Sequence, residues 1–283
     1  MRIRTLGAVS FFLLLLGGCG STPNKPAAPH AKPRDAATAA AIERVLADEH
    51  RSAENRARDR YRHPEDTLLF FGIKHDMTVV EVWPGPGGWY TEVLAPLLAE
   101  RGKLYAAMPP PMPGNEFMTE SLKQFDDKLA ARPDLYGKVT VTRLGAGDFN
   151  AAPPGSADMV VTFRNLHNWM NLGYAEQALA EMHRALKPGG ILGVEEHRGD
   201  PAKPQDPRAA SGYVNEDYAI KLIEAAGFEL IERSEINANP RDTKDYEQGV
   251  WSLPPTYRLG TKDRAKFEAI GESDRFTLKF RKR

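Results

Sequence analysis

The chain has a single cysteine, Cys19, so no intrachain disulfide can form, and no metal site is read from the sequence. It also lacks a surplus of charge of either sign, with 38 Lys and Arg against 38 Asp and Glu in 283 residues. Without a basic excess it has no electrostatic means of holding a polyanion, which argues against nucleic acid as a partner. Long hydrophobic runs are missing as well. The run from Leu6 to Leu16 has eleven residues, well short of the roughly 20 that cross a bilayer as a helix. Two familiar phosphate-binding loops are absent. After Gly85 and Gly87, Tyr90 stands where a dinucleotide fingerprint needs its third glycine, and no Gly-Lys-Ser/Thr follows for a Walker loop.

What is present begins with a processing signal. Arg2 and Arg4 precede the apolar run, and Leu16-Gly-Gly-Cys19 ends it, as in a secretory signal. This ending resembles the lipobox of bacterial lipoproteins, which implies removal of residues 1–18 and lipidation of Cys19. An ordinary secretory signal with a chance cysteine is the plainer alternative. Acyl chains, at about 0.8 kcal/mol per buried CH₂, would then anchor the protein to a membrane. The expected location is the periplasmic side of a bacterial membrane, and Gly20 after the cysteine favours the outer one. Residues 19–35, Pro- and Ala-rich beyond Ser21, read as a tether. Residues 36–283 remain for one large domain. Losing residues 1–18 removes two Arg and no acid, leaving 36 basic against 38 acidic residues, or −2.

Residues 79–90, Val-Val-Glu-Val-Trp-Pro-Gly-Pro-Gly-Gly-Trp-Tyr, read as a buried strand running into a glycine-rich turn, with a helix behind it. Such a turn lets backbone approach a ligand, and the helix start offers free N–H donors. An acid, Glu81, four residues before the first glycine suits an ammonium-bearing ligand better than a phosphate. That points toward S-adenosylmethionine.

Elsewhere strands and helices alternate. Helices are expected over 36–58, 92–99, 117–131, 174–186 and 215–226. Strands are expected over 78–82, 103–107, 139–143, 158–163, 191–195, 228–234 and 276–281. The pattern implies an α/β fold with a doubly wound, mainly parallel, seven-stranded sheet and an N-terminal helical segment.

Four motifs then carry a family resemblance: Val79 to Gly88, Gly147-Asp-Phe149, Asp158 to Asn165, and Leu186-Lys-Pro-Gly-Gly190. With them the chain resembles class I S-adenosylmethionine-dependent methyltransferases over residues 60–283, and more narrowly an exported branch of predicted ones. The resemblance implies the strand order 3-2-1-4-5-7-6 with the last strand antiparallel, and S-adenosylmethionine as cofactor. It implies that Glu81, Trp83, Gly85, Gly87 and Gly88 hold the methionine end and that Asp148 and Phe149 contact the adenine. The loop Arg164–Trp169, with Asn165, borders the transferring methyl. His167 or His197 would serve as a base where the acceptor needs one. The family's acid at the end of strand 2 has no counterpart near Ala106–Met108, and Trp83 stands where the family usually has glycine.

Each residue also has a plainer reading. Glu81 would close a strand end in a salt bridge, Asp148 would cap a turn, His167 would pack beside Trp169, and His197 would join an ion pair. The cluster Arg56–Pro64 reads as a solvated helix face, with a cover over the pocket that reads an anionic acceptor as the alternative. The function expected is methyl transfer to a small molecule or an envelope component. The alternative is a methyltransferase-like binding or scaffold lipoprotein without catalysis.

Overall fold

The structure, a computed structural model, describes residues 35–283. The expected signal peptide, Cys19 and most of the tether lie outside the described residues. Four helices lead in: α1 (Ala36–Ala47), α2 (Ala53–Arg56), α3 (Asp59–Arg62) and α4 (Pro64–Phe71). There follow β1 (Thr78–Val82), α5 (Thr91–Leu98), β2 (Lys103–Met108), α6 (Glu116–Ala131), α7 (Pro133–Tyr136), β3 (Thr140–Gly145) and β4 (Asp148–Asn150). The second half holds β5 (Ala157–Phe163), α8 (Leu166–Leu172), α9 (Ala175–Ala185), β6 (Leu186–His197), α10 (Glu216–Ala225) and β7 (Phe228–Ser234). A 3₁₀ turn (Gly249–Ser252), α11 (Arg264–Ile270) and β8 (Arg275–Lys282) complete it.

The strands form one sheet in the order β4-β3-β2-β1-β5-β6-β8-β7. The pairs from β3 through β2, β1 and β5 to β6 are parallel, and β8 runs antiparallel to both β6 and β7. Apart from β4, a short antiparallel strand beside β3, this is the expected seven-strand order. β1 pairs with β2 on one side and β5 on the other. The chain therefore reverses its winding at β1, and a crevice opens at the carboxyl ends of β1 and β5.

Helices on both faces explain why β1 is buried from Val79 to Val82 rather than on alternate residues. Val80 and Val82 join a core with Trp169, Leu179 and Ile223, while Val79 faces Ile42, Phe71 and Val93 on the other side. Gly193 of β6 is glycine because α4 seats there, a Cβ at that point falling 2.6 Å from the Phe71 ring. Among the described residues no helix is long and apolar enough to cross a membrane.

The N-terminal segment departs from the expectation of one helix over 36–58. The chain leaves helical geometry at Asp48, and Ser52 opens α2 by accepting a hydrogen bond from the Asn55 N–H at 3.1 Å. His63, with φ 39°, then turns the chain from α3 into α4, where Pro64 occupies the first position. The result is a folded cover of short helices. α8 and β4 lie where no element is expected, and each bears on the site.

Candidate functional site

β1 delivers its acid and then turns. The N–H of Trp83 donates to Ala107 O at 2.9 Å, extending the β1–β2 pairing by one residue. Trp83 (φ 50°), Gly85 (φ 76°) and Gly88 (φ 51°) then adopt left-handed backbone. A Cβ added at Gly85 or Gly87 would meet nothing within 4 Å, so the space above these two residues is open to a ligand. Gly88 has a different reason, since a Cβ there would lie 3.0 Å from both Phe125 and Thr91. Trp83 fills the family's glycine position with the backbone conformation glycine would take. Its side chain reaches across to β3, where Nε1 donates to Leu144 O at 2.7 Å, and its ring meets Trp169 edge-on.

Two cavities flank the turn and share Trp83, Gly85 and Pro86 in their walls. One, of about 240 Å³, is polar and lined by Asn55, Arg58, Arg62, Glu81, Tyr90 and Arg164, among others. The other, of about 320 Å³, is apolar and lined by Met108, Met112, Phe117, Met118, Leu172 and Asn165, among others. Its rim includes Phe117, 77% exposed, an unusual placement for a large apolar side chain.

The polar cavity holds opposite charges at different points. Glu81 is buried, and Thr91 Oγ1 donates to its Oε2 at 2.7 Å. Burial pushes its carboxyl up to about 7, against the Thr91 hydrogen bond and the nearby Lys128 charge, which lower it. Glu81 has no Lys or Arg salt-bridge partner among the described residues, so it is not the salt-bridge cap of the plainer reading. Three arginines of the cavity wall, Arg58, Arg62 and Arg164, are packed against acids rather than solvated. Arg58 Nε donates to Glu272 Oε1 at 2.7 Å and Arg62 Nε to Oε2 at 3.2 Å, and Arg275 joins the same carboxylate. Arg164 Nη1 donates to Glu195 Oε1 at 2.5 Å. Four guanidinium groups thus meet two fully buried carboxylates, Glu195 and Glu272, and positive charge is in excess. Arg58 Nη2 is buried without any hydrogen-bond partner. A buried donor left unmade costs about 1–3 kcal/mol, so this atom marks a place for an acceptor.

The solvated-face reading of the cluster holds for the exposed Arg56 and Arg60 and is corrected for Arg58 and Arg62. Arg62 is buried with its guanidinium 4.7 Å from the Trp89 ring centroid, and α3 places Arg62 in the cavity wall. Arg51, also buried, forks onto Asp59 at 2.7 and 2.8 Å and holds α3 in position. The sequence showed a run of basic residues. Their partner Glu272 lies 210 positions beyond Arg62 and could not be read from it.

The other expected residues are placed unevenly. Asn165 is buried, and its Nδ2 donates to Val82 O at 2.9 Å, tying the start of α8 to the end of β1. Asp148 and Phe149 line neither cavity. Asp148 is exposed in β4, paired with Gly145 at the sheet's outer edge, and Phe149 packs edge-on against Tyr174. The short hairpin β3–β4 pairs Phe149 with Leu144 and Asp148 with Gly145. His167 and His197 also line neither cavity. Their rings meet each other, with centroids 5.4 Å apart. His167 Nδ1 lies 3.0 Å from Glu196 Oε1, and His197 Nδ1 lies 2.6 Å from Ser273 Oγ. Burial, followed by the charges of His167 and three arginines, holds His197 well below the usual imidazole range, so its ring is neutral at pH 7.

Residues 114–194 match the family model described as a methyltransferase domain. No curated protein sequence matches the chain. Solved structures of the same fold include a SAM-dependent methyltransferase from Aquifex aeolicus, 18% identical, with TM-score 0.53 over 86% of this chain and 97% of that one. The [4+2]-cyclase SpnF is 16% identical, with TM-score 0.54 over 83% of this chain and 84% of its own. A putative sarcosine dimethylglycine methyltransferase from Galdieria sulphuraria is 14% identical, with TM-score 0.51 over 85% and 89%. The fold is that of class I methyltransferases, and S-adenosylmethionine is the cofactor of that family.

Proposed function

We propose that this chain, built on the class I methyltransferase fold, transfers a methyl group from S-adenosylmethionine to a small molecule or an envelope component. One observation carries the reading: the buried acid Glu81 and Arg58, whose Nη2 is buried without a hydrogen-bond partner, line the same cavity beside an open glycine turn. The amino-acid end of the cofactor is a zwitterion and needs both. Glu81 would take its ammonium, and Arg58, backed by Arg62 and Arg164, its carboxylate. The turn Gly85–Gly88 would lie against the chain between them. The apolar cavity under Met108 and Phe117 would take the adenosine, gripping it by packing because the strand-2 acid is missing.

The cofactor, when bound, supplies an already activated methyl on a sulfonium. The protein has to hold two reactants in line and exclude water. Asn165 would help by fixing the loop after β5 against β1. We further propose a lipid anchor on Cys19 and a periplasmic location, supported by the Leu-Gly-Gly-Cys motif alone.

The test compares S-adenosylhomocysteine with 5′-methylthioadenosine, which keeps the adenosine and lacks both amino-acid charges. The full chain is expected to bind the first at least ~30-fold more tightly, since charged hydrogen bonds contribute roughly 1.5–3 kcal/mol each. Arg58→Ala is expected to lower that ratio by about tenfold or more, leaving the part that Glu81 supplies. Equal binding of the two ligands by the unaltered chain would defeat the assignment of the polar cavity.

A further inference from the structure

His167, in the first turn of α8, and Glu196 and His197, at the end of β6, form a cluster that lines neither cavity beside the glycine turn. One ligand atom from each of the three lies within 4.8 Å of the other two. Atoms sharing a tetrahedral zinc ion sit about 2.0–2.2 Å from it, hence roughly 3.3–3.6 Å from one another, so closure by at most about 1.5 Å completes the set. We propose that these three residues bind one divalent transition-metal ion, with zinc the chemistry they fit best.

The residue types and their support both point that way. Two imidazoles and one carboxylate are the ligands of borderline cations, and an all-oxygen site for calcium or magnesium is a different set. Glu196 is fully buried. Among the described residues it has no Lys or Arg partner, whereas its neighbour Glu195 has Arg164 and Arg275. Among the described residues, His167 Nδ1 and the backbone N–H groups of His167 and His197 are what faces its oxygens. A buried anion without a fixed cation is costly, and a bound metal ion supplies the missing charge.

The scaffold is rigid. Glu196 and His197 stand in β6 opposite Phe276 and Arg275 of β8, and His167 stands in the first turn of α8. Ser273 Oγ engages His197 Nδ1 at 2.6 Å, which orients that ring and leaves its Nε2 for an ion. Trp251 and Tyr213 stand edge-on to the two imidazoles, with centroids 6.0 Å and 6.4 Å away, and wall the cluster. Three protein ligands leave a tetrahedral ion one position for water or an oxygen anion.

The test needs neither the cofactor nor activity. The full chain, stripped by a chelator, is titrated with Co²⁺ and followed by visible absorption, then challenged with Zn²⁺. One equivalent of Co²⁺ is expected to bind with d–d bands of a nitrogen/oxygen site that Zn²⁺ abolishes. His197→Ala and Glu196→Gln, checked for fold by circular dichroism, are expected to weaken binding at least ~10-fold. No stoichiometric binding of either ion by the unaltered chain would overturn the site, whatever the variants do. So would unchanged affinity in a folded His197→Ala.

Discussion

Glu81→Gln is expected to weaken S-adenosylmethionine binding about 100-fold and, at pH 8, to make the protein more stable. Both effects come from one buried carboxyl. Burial raises it from 4.5 to about 7. Between those values the folded chain keeps a proton that the unfolded chain has released. Stability therefore falls as pH rises through that window, by on the order of 3 kcal/mol in all. Glutamine fills the same space, accepts the Thr91 hydrogen bond and has no charge to desolvate. Urea unfolding at pH 5 and pH 8 should show the variant gaining on the parent at pH 8 and little at pH 5. Binding moves the other way, because an ammonium wants the ionised acid. The parent should bind S-adenosylmethionine more tightly at pH 8 than at pH 6, by up to about tenfold, and the variant should lose that dependence. A variant that binds within threefold of the parent would remove Glu81 from the site.

Glu272→Ala is the change expected to damage the fold most. Glu272 is buried and receives Arg58, Arg62 and Arg275 on its two oxygens. Although burial works against the charge, Arg275, Arg62 and Arg58 hold this carboxyl well below the usual range. Removing it leaves guanidinium groups buried without their counter-ion, a loss of about 3–5 kcal/mol. The sign with pH is opposite to that of Glu81. A lowered carboxyl stabilises the fold above its unfolded value of 4.5 and loses that contribution as pH falls toward its folded value. The parent should therefore weaken steeply below about pH 4.5, and the variant, already without this contribution, should show a shallower acid slope. A loss below about 1 kcal/mol at pH 7 would mean that the arginines are satisfied some other way.

The parts of the fold legible in the sequence are those set by local pattern. Val79 to Gly88 announced a buried strand and an open turn because both depend on neighbours in the chain. β7 falls on Phe228–Ser234 as expected, and the strand order follows from alternation plus the family resemblance. What stayed hidden depends on distant partners. Arg62 looks solvated until Glu272 is beside it, and Asp148 looks like a pocket residue until β4 folds it back onto β3. His167 and His197 each looked like an independent base. Their 5.4 Å ring contact exists only because α8 starts beside the end of β6. The break of the N-terminal helix at Asp48 had local signals, the Ser52 cap and Pro64, within a stretch whose alanines and arginines favour helix.

The central claim is that the crevice above Gly85 and Gly87 is an S-adenosylmethionine site. Calorimetric titration of S-adenosylmethionine into the full chain at pH 8 tests it most directly. One site per chain at micromolar strength is the predicted result. No heat of binding up to millimolar cofactor, from protein shown to be folded, would contradict it.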